Sequence, residues 1–250
     1  MTRIVHELAA LGHTVHVVTA LPWYRTHTIE PGWTGRKVRR EQTSWGSITR
    51  VDPFPGGDKS NLARRALGFV GFSALAGFVG VRGGRVDAVI AMSPPLTNGL
   101  VAWAIHLVRR GPLVFNIQDV FPDAVIETGA IDTSTRKGRV IVAAARWLER
   151  VSYRRSAAVT VLSEDLRANV VAKVPEMAER VRVIPNFVLT EEIRPLHRMT
   201  AYRNELGIGD EPVVLYAGNV GFSQSLDLVV EAARRRPDVT FVIDGEGSAR

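Results

Sequence analysis

Apolar residues run along the chain in two alternating rhythms. Short runs rich in Val and Ile mark buried strands over 14–19, 86–91, 113–117, 157–162, 181–184, 213–217 and 238–243, with a shorter candidate at 48–51. Between them apolar positions recur every three or four residues, the spacing of helices that bury one stripe. That spacing predicts helices over 2–11, 62–81, from Ser93-Pro94-Pro95 to Arg109, over 139–154, over 166–173 behind a Ser163 cap, and from Ser225 onward. A long passage from Leu21, rich in Gly, Trp and Arg, reads as loop.

Strand–helix alternation implies an α/β fold, a parallel sheet with helices on both faces. Residues 1–185 read as one Rossmann-like domain with a single parallel sheet. It opens on a helix, so its usual first strand is expected to be missing. The proline-containing passage 186–210 reads as a linker. Residues 211–250 hold only strand, helix, strand and a turn at Asp244-Gly245-Glu246-Gly247, so this second Rossmann-like domain reads as incomplete.

The 62–81 helix carries no charge from Ala66 to Val81. It is short for a membrane span, which takes about 20 apolar residues, yet apolar on every side. Two readings stay open. One is a buried or interdomain helix whose glycines allow close packing. The other is a segment dipping into a membrane through Leu67, Phe69, Phe72 and Phe78, flanked by Arg64, Arg65, Arg82 and Arg85.

The stretch with most chemistry is the strand 213–217 with the turn Gly218-Asn219-Val220-Gly221 and the helix after it. A strand that feeds a helix through a tight loop turns free backbone N–H groups and the positive helix end outward, an arrangement suited to phosphate. The other reading is that the glycines only make the turn. The G-x-x-G form is neither the dinucleotide G-x-G-x-x-G nor a P-loop.

Composition narrows the classes. With 46% hydrophobic and 23% charged residues the chain is a globular protein rather than a disordered one. It has no cysteine, which removes disulfides, thiolate metal sites and cysteine catalysis. The net charge of +7 comes in short arginine clusters suited to an anionic membrane surface or phosphorylated substrates. No nucleic-acid motif accompanies them, so nucleic acid is not an expected partner. The first helix carries charges and lacks a continuous apolar core, so it does not read as a secretory signal peptide.

In their order and spacing, several segments together resemble the family 4 glycosyltransferases of the GT-B fold. They are His6-Glu7-Leu8-Ala9 through Gly12-His13-Thr14-Val15 to Val18-Thr19, then Gln118-Asp119-Val120-Phe121-Pro122 and Val183-Ile184-Pro185-Asn186. Tyr216-Ala217-Gly218-Asn219-Val220-Gly221 and Asp244-Gly245-Glu246-Gly247 complete the set. The Gln-Asp-x-x-Pro and Gly-Asn-x-Gly forms look most like the bacterial branch that builds exopolysaccharide and O-antigen.

The resemblance implies a retaining transferase that moves a sugar from a nucleotide-diphosphate donor to a glycan or polyprenyl-linked acceptor, with no cofactor and no protein-bound metal. It implies a cytoplasmic protein, peripheral at the inner face of the plasma membrane where the acceptor is lipid-linked. Donor diphosphate would lie at Gly218, Asn219, Gly221, Phe222, Ser223 and Gln224, with Gly245, Glu246 and Gly247 as the neighbouring turn. Gln118 and Asp119 would be the catalytic residues, Asp119 orienting acceptor or sugar hydroxyls; the other reading of Asp119 is a loop carboxylate that caps local N–H groups. The chain departs from relatives that carry Arg and Lys where Asn219 and Gln224 stand, and His where Gln118 stands, so cations and an imidazole are replaced by neutral amides. By the same resemblance a first strand and glycine-rich loop would precede Met1 and a Glu-x₇-Glu segment would follow Arg250, so the chain reads as truncated at both ends, with its own activity in doubt. Two alternatives stay open: a GT-B sugar-nucleotide epimerase, and a non-catalytic fragment that binds a partner or membrane.

Overall fold

In a computed structural model the described residues are 2–23, 28–54, 62–119, 122–123, 126, 131–221 and 224–247, with 62–66 described by backbone alone. The chain divides into two compact units, Met1–Asn186 and Phe187–Arg250.

The first unit opens with helix α1 (Thr2–Ala10), which Gly12 ends by turning at φ +88°. Strand β1 (Val15–Ala20) follows, then β2 (Val38–Thr43), β3 (Gly46–Val51) and helix α2 (Leu62–Arg82). Next come β4 (Val89–Ser93), α3 (Thr97–Arg109), β5 (Leu113–Ile117), α4 (Arg136–Arg154), β6 (Ala158–Val161), α5 (Glu164–Lys173), a 3₁₀ turn and β7 (Val181–Val183). Ser163 caps α5 by accepting from Leu166 N–H at 3.2 Å, and Thr135 caps α4 by accepting from Gly138 N–H at 3.0 Å.

The strands form two sheets, which corrects the expectation of a single parallel one. β4-β5-β6-β7 is parallel throughout. The other sheet has the order β1-β3-β2, with β1 parallel and β2 antiparallel to β3. β2 was read as loop because V-R-R-E-Q-T shows no apolar run. It is an edge strand whose side chains lie mostly in solvent, so only its ladder with β3 reveals it.

The core lies under the parallel sheet. Phe115, Ile117, Val159, Val161 and Val181 from the strands meet Leu96, Tyr153, Val170, Val174 and Met177 from the helical side, all buried. At about 25 cal/mol per Å² of apolar surface, each such side chain contributes about 1.5–3 kcal/mol. α2 packs on α3 and α3 on α4, so these three helices lie side by side. Small residues let them close in: a Cβ on Gly99 would stand 2.2 Å from Ser152 Oγ, and Ser73 donates to Thr97 across α2 and α3 at 2.7 Å.

α2 has a buried side at Ser73 and Ala76, and on the other side Leu67, Val70, Ala74 and Phe78 stay exposed. Of the four side chains expected to meet a membrane, Leu67 (71%), Phe78 (56%) and Phe69 are exposed, whereas Phe72 is half-buried. No helix among the described residues is long and apolar enough to cross a membrane.

The second unit holds helix α6 (Ala201–Glu205), β8 (Val213–Ala217), α7 (Asp227–Arg235) and β9 (Thr240–Asp244). β8 and β9 pair in parallel from Val213–Thr240 to Ala217–Asp244. α6 falls inside the passage read as linker, its start capped by Thr200.

Candidate functional site

The predicted residues fall into two groups, one in each unit. In the first unit Gln118 and Asp119 directly follow β5, at the carboxyl end of the parallel sheet, where open α/β sheets bind ligands. Gln118 is fixed from both its backbone and its side chain. Its N–H donates to Ser93 O at the end of β4 at 3.3 Å, and its amide donates to Asn116 Oδ1. Asn116 in turn donates to Thr160 Oγ1 at 2.7 Å, so a chain of polar side chains crosses from β5 to β6. This places Gln118 with its carbonyl oxygen still able to accept, and leaves the Asp119 carboxylate exposed.

A second polar cluster lies beside this loop, and the sequence reading missed it. Lys173, the last residue of α5, donates to Asp123 Oδ2 at 2.6 Å and to Glu149 Oε1 at 2.8 Å. Tyr153 donates to the same Glu149 oxygen at 2.8 Å, and Asn169 reaches Asp123 at 3.3 Å. Glu149 is fully buried. Burial by itself raises the Asp123 pKa, but the hydrogen bond and charge of Lys173, the Asn169 bond and the charge of Arg146 outweigh it and hold the carboxyl below its usual range. Burial, with the Glu149 carboxylate beside it, pushes the Tyr153 phenol far above its ordinary range. The available signal was positional. Glu149 stands on the stripe Val142, Glu149, Ser152, Tyr153 that α4 buries, where an unpaired carboxylate is not tolerated.

In the second unit the structure brings the Gly218 and Gly245 segments together, in a way that corrects the turn expected at Asp244-Gly245-Glu246-Gly247. That segment is extended and continues the β8–β9 ladder. Gly218 N–H donates to Asp244 O at 3.0 Å, and Val220 N–H to Glu246 O at 2.9 Å. The contact is so close that a Cβ on Gly245 would stand 1.8 Å from Gly218 O, and one on Gly247 1.9 Å from Val220 O. These two glycines therefore serve backbone-to-backbone approach. Two of the loop's amides are thereby engaged within the protein.

What remains of the loop for a ligand lies around Gly221. An added Cβ there would meet the Asn219 amide nitrogen at 2.6 Å and the Gln224 amide oxygen at 2.7 Å, so both neutral amides converge on one spot. Tyr216 holds the turn from below, its hydroxyl donating to Asn219 O at 2.8 Å. α7 begins at Asp227 rather than Ser225, because Ser225 takes a positive φ of 47° that breaks the helical path. Asp227, in the first turn of α7, already sets a carboxylate against the positive helix end. Phe222 and Ser223 lie outside the described residues.

An open hollow of about 440 Å³ lined by His6, His13, Ser44 and Trp45 lies at the amino ends of β1 and β3. It gathers none of the residues predicted for the site.

Residues 1–186 match the family model of the glycosyl transferase 4-like domain. Over 256 aligned residues the chain is 28% identical to WcaI of Escherichia coli (strain K12), whose name gives it a glycosyl transferase step in colanic acid biosynthesis. The alignment takes in 99% of this chain and 61% of that protein. The chain is 33% identical over 119 residues to the alpha-D-kanosaminyltransferase of Streptomyces kanamyceticus, covering 45% of this chain and 31% of that one. Among solved structures, Anabaena Alr3699/HepE, crystallised with UDP and glucose, shares the fold at a TM-score of 0.52. The likeness covers 71% of this chain and 44% of that one, at 16% identity. The chain thus spans about three fifths of the length of its E. coli relative. Its parallel sheets and helices are those of the GT-B class of α/β folds. By its family match over residues 1–186, the chain belongs to the glycosyl transferase 4-like family.

Proposed function

We propose that this protein takes part in retaining transfer of a sugar from a nucleotide-diphosphate donor to a glycan or lipid-linked acceptor of cell-surface polysaccharide. The observation that carries the reading is the convergence of the Asn219 and Gln224 amides at Gly221, on a loop braced by the Gly245 and Gly247 contacts. The Asn219 amide nitrogen and the loop's remaining N–H groups offer donors suited to a diphosphate. Departure of that diphosphate is the step that needs charge stabilisation. Gln118 and Asp119 serve acceptor hydroxyls at the carboxyl end of β5, by hydrogen bonds to the Gln118 carbonyl and the Asp119 carboxylate. No protein-held metal is invoked. The names of HepE's ligands, UDP and glucose, support a uridine nucleotide sugar as the first donor to try.

The same reading assigns a peripheral contact with the cytoplasmic membrane face. Its support is a run of exposed apolar side chains on α2 and α4. Leu67, Val70 and Phe78 stand out on α2, and Val140 (62% exposed) and Trp147 (61%) on α4. Arg136, Arg139, Arg146 and Arg150 are exposed on α4 and make no ion pair among the described residues. Exposed apolar side chains, with exposed arginines on the same helix α4, suit an anionic bilayer.

Calorimetric titration with a panel of nucleotide sugars, followed by analysis of products with and without a glycan acceptor, tests the reading. Binding with transfer that survives a chelator supports it. Epimerised donor without transfer selects the epimerase instead, and no affinity for any nucleotide sugar refutes donor binding by this chain.

A further inference from the structure

We propose that Lys173 is a positioning residue, the clamp that sets the loop carrying Gln118 and Asp119. The inference rests on the acceptor role given to that loop above, and it concerns residues that no sequence motif singles out.

Three facts lead to it. First, the loop is held at its start by Gln118, through Ser93 and the Asn116–Thr160 chain, and again at Asp123 by Lys173 and Asn169. Asp119 lies between these anchors, exposed and with no hydrogen bond of its own side chain among the described residues. Its place is therefore inherited from its neighbours. Second, Lys173 is itself immobilised. Its ammonium is mostly buried and spans from Asp123, in the helical turn that follows Gln118 and Asp119, to Glu149 on α4, with Tyr153 bonded to the same Glu149 oxygen. The loop is thus tied to two helices at one atom. Third, the arrangement is a poor choice for stability alone. A buried lysine flanked by two carboxylates bears a desolvation penalty that apolar residues of similar volume avoid. What a charged bridge adds is direction, because an ammonium bonds Asp123 at one point and with defined geometry.

Asp123→Ala cuts the tether and leaves the Lys173–Glu149 and Tyr153–Glu149 bonds in place, so the fold is retained. The double variant Lys173→Met, Glu149→Gln removes the bridge and the buried charge, keeps an acceptor for Tyr153, and leaves the part-exposed Asp123 carboxylate its Asn169 bond. Hydrogen exchange by mass spectrometry on the whole chain reads the 118–126 segment directly. Both variants are expected to speed exchange there at least tenfold, with β5 and α4 unchanged. In transfer assays both are expected to lower kcat at least tenfold with the donor KM unchanged, since Asn219 and Gln224 belong to the other unit. Asp123→Glu is expected to restore part of the rate. Unchanged exchange at 118–126 in a folded Asp123→Ala protein overturns the clamp. Faster exchange with an unaltered kcat overturns its positioning role. If the wild-type chain transfers no sugar, the transferase reading fails while the exchange experiment still decides the clamp.

Discussion

Replacing Gly247 with alanine should unseat the Gly218 loop. The added Cβ would lie 1.9 Å from Val220 O, 2.4 Å from its carbonyl carbon and 2.8 Å from its nitrogen, all backbone atoms. Real Cβ contacts do not fall below 3.0 Å, so the two segments must part by about 1 Å. That stretches the 2.9 Å bond from Val220 N–H to Glu246 O beyond hydrogen-bonding range. Val220 is buried, so its N–H finds no water in exchange. An unmade buried bond costs about 1–3 kcal/mol, and the strain of the parting segments raises the expected loss to about 2–3 kcal/mol. Since about 1.4 kcal/mol is tenfold, protection of the Val220 amide against hydrogen exchange should fall roughly 30- to 140-fold. Gly221→Ala serves as the control, because its Cβ meets only the movable ends of Asn219 and Gln224. Wild-type exchange at Val220 in Gly247→Ala would refute the close-approach argument.

Further outcomes follow from the same geometry. Gly221→Val should leave the unit folded but displace both converging amides and abolish nucleotide-sugar binding, while Asn219→Ala should weaken it by about 1.5–3 kcal/mol at most; calorimetry measures both. Liposomes with anionic lipid should recover the wild type by flotation, and Phe78→Asp with Trp147→Asp should abolish recovery; equal recovery would remove the membrane face. The Asp123 carboxyl is depressed in the folded state, so its contribution is present above the ordinary carboxylate range and is lost as pH falls through the folded value. Exchange at 118–126 should therefore quicken only below the ordinary carboxylate range, and Asp123→Ala should erase that acid-dependent step.

Much of the fold is written locally. The strands at 113–117 and 213–217 were legible to the residue because each is mostly apolar, opened by a proline and ended by a polar residue or glycine. The Ser163 cap was legible because a hydroxyl followed by two acidic residues satisfies helix amides within one turn. The glycines and amides of the Gly218 loop stood out for the same reason: their chemistry is that of neighbours in sequence. The tertiary structure alone decided what depends on distant partners. β2 exists because β3 offers it a ladder, and its charged sequence carries no sign of that. Gly245 and Gly247 look like turn formers until Gly218 and Val220 are laid against them. Asp123, Glu149 and Lys173 are separated by up to 50 residues and meet only when α4 and α5 pack beside the loop. Periodicity records which face of an element is buried. Which polar atoms then meet on that face is set by how elements far apart in the chain pack together.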